Sequence, residues 1–358
     1  MERKRDLATR RSNRWLALVY FALAMVATCG PAWCQAPPGP LQQKPGAPPE
    51  KLPTAEQRKN AIRVRVNEVI APVTVTNHTG EMILDLSKDN FRVYDNGVQQ
   101  KIEHFDLGGD PLSIVLVIEA SSHIKPMFPS IKHAGIVFSE AVMGQTSEAA
   151  VISYDSTVDI HSKFTTDPDS VQAAIEHMPL GVNDSLLYDA MARGISMLEE
   201  RPAVRRRIML VIGEAQDSGS ENRLGEVLRQ AQLANVTIYS IGLSTAMADL
   251  RAKPTHENQY PDLGALAVFL VTTGKNALGP NSLAVASKAT GGLHVNAVRD
   301  SSIEKAIDEI GGELHAQYTI GYRPPGDELS GYHEIKVEID RPGVTLRTRP
   351  GYYIAPPS

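Results

Sequence analysis

Ser113-Ile-Val-Leu-Val-Ile-Glu-Ala-Ser-Ser-His123 is an apolar, largely β-branched run that stops at an acid, a small residue, two hydroxyls and an imidazole. Such a run reads as a strand buried on both faces, the kind found in parallel sheets. Open α/β sheets carry their ligand sites at the carboxyl ends of the strands, so the polar tip at 119–123 is where function is first sought.

Outward from this strand, residues 109–313 alternate short apolar runs with longer amphipathic ones. Strands are expected at 114–118, 149–154, 158–164, 208–212, 236–241 and 293–296, and helices at 128–142, 169–177, 186–199, 222–234, 282–289 and 302–314. That order predicts an α/β fold with a doubly wound, mostly parallel six-stranded sheet covered by helices on both faces. The runs on either side of Asp155-Ser-Thr157 predict a hairpin, which makes one edge strand antiparallel. Segment 247–280 is a long polar insertion of a length at which loops are often functional.

Both flanks read as β structure. Residues 61–108 show period-two alternation broken by the turns Asn77-His-Thr-Gly80 and Asp95-Asn-Gly97, and residues 314–354 repeat the pattern around Pro324-Pro-Gly326 and Arg341-Pro-Gly343. Each flank alone has exposed edges and too little core. The two are therefore expected to pair into one accessory antiparallel β domain.

The N-terminus is a different material. Six Lys or Arg residues precede the 13-residue apolar run 15–27 and then Ala32-Trp33-Cys34, the order of a secretory signal peptide over 1–34. The mature chain is expected to begin near Gln35 or Ala36, with no membrane span of its own; the alternative is a leader retained as an anchor. Residues 35–60 form a proline-rich disordered linker. Both cysteines lie in the leader, so the mature chain has neither disulfides nor thiol catalysis. Without the leader, 30 basic residues face 39 acidic ones, which argues against nucleic acid or anionic lipid as a primary partner. The expected location is exported, periplasmic or extracellular, or membrane-anchored if the leader stays.

Three strand-to-helix junctions converge in such a fold: Glu119-Ala-Ser-Ser-His123, Gly181-Val-Asn-Asp-Ser185 and Gly213-Glu-Ala-Gln-Asp217. With Ser185-Leu-Leu-Tyr-Asp189 and Ile212-Gly-Glu-Ala-Gln-Asp-Ser-Gly-Ser220, they resemble a von Willebrand factor type A domain. The flanking pieces Asn90-Phe-Arg-Val-Tyr-Asp-Asn-Gly97, Ala289-Thr-Gly-Gly292, Gln317-Tyr-Thr-Ile-Gly-Tyr-Arg-Pro-Pro325 and Gly351-Tyr-Tyr353 sharpen the resemblance to the type A-related proteins abundant in acidobacteria. It covers roughly 61–354. It implies a metal-ion-dependent adhesion site, in which an Asp-x-Ser-x-Ser loop, a Thr and a second Asp hold Mg²⁺ with one position open to a partner's carboxylate.

Carried over position by position, the resemblance places Glu119 at the first Asp, Ser121 at the first Ser, His123 at the second Ser, Ser185 at the Thr and Glu214 at the second Asp. Only Ser121 is the family residue. Longer acidic arms suit a small octahedral ion poorly, and an imidazole suits a transition metal better than Mg²⁺. Three readings stay open: a degenerate site with no cofactor, a weak Mg²⁺ or Mn²⁺ site using Glu119, Ser121, Ser185 and Glu214, and a Zn²⁺-type site using Glu119, His123 and Glu214. Asp184 and Asp217 are candidates for a partner-binding surface beside the tip. Asp189 reads as a loop buttress or a first-turn acid, Asp217-Ser-Gly-Ser220 as a turn and N-cap of the next helix, and Arg205-Arg-Arg207 as a solvated turn.

Enzyme motifs are lacking: there is no Gly-x-Ser-x-Gly elbow, no phosphate loop and no His-Glu-x-x-His. The sequence is therefore read as an exported, noncatalytic protein-protein interaction or adhesion module with a degenerate adhesion site and an envelope or extracellular protein partner. The alternatives are a metal-dependent binding protein or hydrolase using the altered site, and a structural envelope assembly component.

Overall fold

The computed structural model describes residues 68–144, 146–182, 184–243, 268, 271, 281–297, 300–324 and 330–354. The leader, the linker, the first alternating run at 62–66 and nearly all of the insertion 247–280 lie outside the described residues.

The central sheet is built from β5 (Leu112–Glu119), β6 (Glu148–Tyr154), β7 (Val158–Thr165), β8 (Arg206–Gly213), β9 (Val236–Leu243) and β10 (His294–Ala297) in the order β10-β9-β8-β5-β6-β7. All neighbours are parallel except β6 and β7, the expected hairpin. Every residue of β5 is buried, because alternate side chains enter two separate cores. Ile114, Leu116 and Ile118 join one core and Val115 and Val117 the other. At about 1.5–3 kcal/mol per buried aliphatic side chain, this strand anchors both halves of the domain.

Helices cover the two faces. α1 (Phe128–Ala141) buries Phe128, Ile131, Ala134 and Phe138 at helical spacing against the first core. On the same face lies α6 (Asp300–Ala316), with Ile303, Ile307, Ile310 and Leu314. The other face takes α3 (Leu187–Glu199), α4 (Leu224–Leu233) and α5 (Ser282–Thr290). The short α2 (Pro168–Glu176) has proline at its first position and Asp167 as N-cap, accepting from the Asp169 and Ser170 amides. Among the described residues no helix is long and apolar enough to cross a membrane.

The flanks interleave into the expected accessory antiparallel β structure, which is made of two four-stranded sheets. The first has the order β13-β1-β11-β4, using Val69–Asn77 (β1), Ile102–Leu107 (β4), Tyr318–Tyr322 (β11) and Val344–Thr348 (β13). The second has the order β14-β12-β2-β3, using Phe91–Asp95 (β2), Val98–Gln100 (β3), Gly331–Ile339 (β12) and Gly351–Ile354 (β14). One hydrophobic cluster, with Val73, Phe91, Val93, Tyr318, Ile320 and Tyr352, draws on both. Asn96 and Gly97 have φ of 46° and 81°, the left-handed pair a two-residue hairpin turn requires. Residues 315 and 316 belong to α6, beyond the helix end expected at 314 and inside the span expected as β flank, because the apolar period that seats Leu314 carries the helix on to Ala316.

The flanks are bound to the α/β layer through buried polar groups. Arg206 donates to the Leu314 carbonyl at 2.8 Å and to Gln317, whose amide donates to Thr74 at 3.1 Å. Arg347 pairs with Glu313, which also accepts from Tyr239 at 3.0 Å. The basic triplet is thus not a solvated turn. Arg205 donates to Ser113 and to the Leu112 and Thr146 carbonyls, and Arg207 donates to the Ala234, Glu199 and Arg201 carbonyls. Helix ends and strand starts bring unpaired carbonyls to this edge, and guanidinium forks satisfy them.

Candidate functional site

The carboxyl ends of β6, β5 and β8 lie side by side, and their last residues build the site. Glu119 closes β5 and is 1 % exposed. One carboxylate oxygen accepts the Ser121 hydroxyl at 2.5 Å, and the other accepts the Glu214 amide at 2.6 Å. The side chain therefore clasps its own loop to the loop after β8. Gly213 makes room for this: a Cβ there would lie 2.8 Å from Glu119 Oε2 and 2.2 Å from the Tyr154 hydroxyl.

Ser121 caps the single turn Ser122–Ile124, accepting from the His123 amide at 3.3 Å. This turn presents the partly exposed His123 ring beside the carboxylates. The ligand-capable atoms of Glu119, His123 and Glu214 all lie within 4.8 Å of one another. Glu214, like Glu119, is buried. Burial pushes the Glu119 carboxyl up to about 7; the Ser121 hydroxyl and the Glu214 amide oppose this, and the Glu214 charge adds to it.

Ser185 belongs to a second cluster. Its hydroxyl donates to the Gln216 carbonyl at 2.9 Å, its amide to Ser218 Oγ at 2.9 Å, and its carbonyl accepts the Ser218 amide at 2.9 Å. Asp189 is a buttress, accepting from the amides of Glu221 and Asn222 and from the Asn222 side chain. Asp217 caps α3 through the Tyr188 amide at 3.2 Å, instead of capping the helix that follows it. Asp184 stands exposed at the rim.

Sequence reasoning missed Tyr154. It ends β6, pairs in register with Glu119, and is wholly buried with a hydroxyl that has no hydrogen-bond partner. Burial first, and then the charges of Glu119, Glu214 and Asp217, push its phenol far above the ordinary range. The only signal was positional: in a parallel sheet the last residue of the neighbouring strand lies level with the tip.

The residues present do not fit the Mg²⁺ of an adhesion site. That ion needs a near-ideal octahedron of oxygens, whereas this tip gathers two carboxylates with one imidazole, and Ser185 is held by a neighbouring loop. Two carboxylates and a nitrogen are a donor set for a borderline transition ion.

A doubly wound α/β domain with its polar site at the carboxyl end of a parallel sheet is the class that fold and site define. Within it, residues 113–265 match the family model of the von Willebrand factor type A domain. Solved structures of similar fold include BatB from Bacteroides thetaiotaomicron, at 12 % identity and TM-score 0.40 over 57 % of this chain and 98 % of that one. An aerotolerance-related membrane protein from Bacteroides fragilis gives 10 % identity and TM-score 0.40 over 56 % and 99 %. Proximal thread matrix protein 1 from the mussel byssus, with a zinc occupied MIDAS motif, gives 10 % and 0.44 over 62 % and 49 %. No curated protein matches the sequence.

Proposed function

We propose that the chain is an exported, noncatalytic interaction protein of the type A-related kind, which holds an envelope or extracellular protein at the carboxyl edge of its central sheet. The observation that carries this reading is the tip itself: a rigid polar cluster beside exposed Asp184 and Val182, the latter 55 % exposed. Type A domains are commonly interaction modules, and an apolar residue rimmed by charge suits a protein contact. The Ser121 hydroxyl donates its hydrogen bond to Glu119 and not to the His123 ring, and this supports the noncatalytic reading. The basic and apolar leader supports export, and the two flank sheets support the finer family.

The test compares capture from envelope extracts by the wild-type chain and by a Val182→Glu/Asp184→Arg variant. A protein held by the wild type and lost by the variant is the expected result. Equal capture by both, or tip-dependent hydrolysis of ester or phosphoester substrates, defeats the reading. Fractionation of an expressing bacterium should find the chain outside the cytoplasm with its N-terminus near Gln35 or Ala36.

A further inference from the structure

We propose that Glu119, His123 and Glu214 form a site for a borderline transition-metal dication of the zinc type, with the Tyr154 hydroxyl as a supporting polar group, where a type A domain would hold Mg²⁺. The proposal rests on the tip being the binding face and adds what the face binds first.

Three observations carry it. The three ligand-capable atoms already lie within 4.8 Å of one another. A tetrahedral ion with bonds of about 2.0–2.2 Å holds its ligands about 3.4 Å apart, so closure asks for a shift of about an ångström, which the partly exposed His123 ring can supply. Glu119 is meanwhile held as metal-ligating carboxylates are held. Each oxygen accepts one hydrogen bond, from Ser121 and from the Glu214 amide, and keeps a second lone pair.

The independent observation is Tyr154. A fully buried hydroxyl without a partner costs about 1–3 kcal/mol, and the fold provides for it by keeping Gly213 opposite. This hydroxyl lies beside Glu119 at the level of the tip. A bound ion with its water would give the orphan a partner, as outer groups do around metal ligands. The imidazole decides the class of ion: nitrogen suits zinc and its neighbours and is no substitute for the oxygen that Mg²⁺ requires.

The mature chain from Gln35, which carries no cysteine, is freed of metal by chelator and titrated with ZnCl2, MnCl2 and MgCl2 by calorimetry, and with Co²⁺ while the visible absorption is followed. Zn²⁺ should bind at about one ion per chain, at least about 100-fold more tightly than Mg²⁺. His123→Ala should weaken Zn²⁺ by at least about 10-fold and change the Co²⁺ spectrum, and Tyr154→Phe should weaken it about 10-fold. Because the chain has ten histidines, the loss in His123→Ala is the deciding measurement. Glu214→Gln is a third variant, and circular dichroism in chelator confirms that all three fold. The proposal is overturned if Zn²⁺ does not bind, if its binding is indifferent to His123→Ala and Glu214→Gln, or if Mg²⁺ binds as tightly. If capture by the tip persists while Zn²⁺ fails, only the metal proposal falls; if Zn²⁺ binds and capture ignores the tip, only the interaction reading falls.

Discussion

Glu119 makes the metal-free protein less stable as pH rises, and Glu119→Gln should remove most of that dependence. The ordinary carboxyl value is 4.5, and burial in the folded chain pushes Glu119 to about 7. Between these two values the unfolded chain has released a proton that the folded chain keeps. The contribution of this group to stability is therefore fully present below about 4.5, falls through the window and is gone above about 7; at about 1.4 kcal/mol per pH unit the ionised folded state is disfavoured by about 3 kcal/mol. The amide of Gln fits the same hydrogen bonds, since its carbonyl can accept from the Glu214 amide while the Ser121 hydroxyl reverses to accept from its NH2. Urea unfolding in chelator from pH 4 to 8 should show the variant about 3 kcal/mol more stable than wild type at pH 8 and nearly equal at pH 4. Parallel stability curves for the two proteins would refute the burial account of Glu119.

At the opposite edge of the sheet Glu148 should behave with the reverse sign. Burial pushes its carboxyl up, but hydrogen bonds from Arg201 and Ser113 and the charges of Arg205 and Arg201 outweigh this and hold it below 4.5. Glu148→Gln should therefore lower stability at pH 7, with the difference from wild type shrinking as pH falls below 4.5 in a urea series carried to lower pH. Gly213→Ala should lose about 1–3 kcal/mol, because the new methyl meets Tyr154 and Glu119; adding Tyr154→Phe should recover part of it, a coupling read from a double-mutant cycle. Arg347→Ala leaves Glu313 buried without its ion pair and should cost about 3 kcal/mol, much of it restored by adding Glu313→Gln.

The centre of the fold was legible because β5 is an unbroken apolar run that ends abruptly, and such a run has few other homes than a two-sided sheet. The tip was legible for the same reason, since the chemistry begins where the run stops. What the sequence hid was partnership across strands. Period-two alternation tells which residues share a face and not which strand lies beside them, so the accessory β domain was legible and its division into two sheets was not. Tyr154 reads as the aromatic end of a core strand until the parallel register sets it level with Glu119. Arg205, Arg206 and Arg207 read as solvated because a basic triplet usually is; only the assembled edge supplies the carbonyls that draw them in.

Glutamate in place of aspartate at position 119 looks in sequence like damage to an ion site, but here the longer arm has a structural task. One oxygen reaches Ser121 in its own loop and the other reaches the Glu214 amide beyond the next strand. An aspartate, shorter by one bond of about 1.5 Å, would bridge the two loops less well. Position 213 follows from the same requirement, because any side chain there would occupy the path of Glu119 and the end of Tyr154. Positions 119 and 213 therefore belong together as one clasp, in which each carboxylate oxygen of Glu119 accepts one hydrogen bond and keeps a lone pair. A site with a fixed carboxylate and a partly exposed imidazole has only one part that must move to close around an ion. His123 is that part, which is why its removal, and not that of Glu119, separates an ion site from a clasp that holds the fold alone.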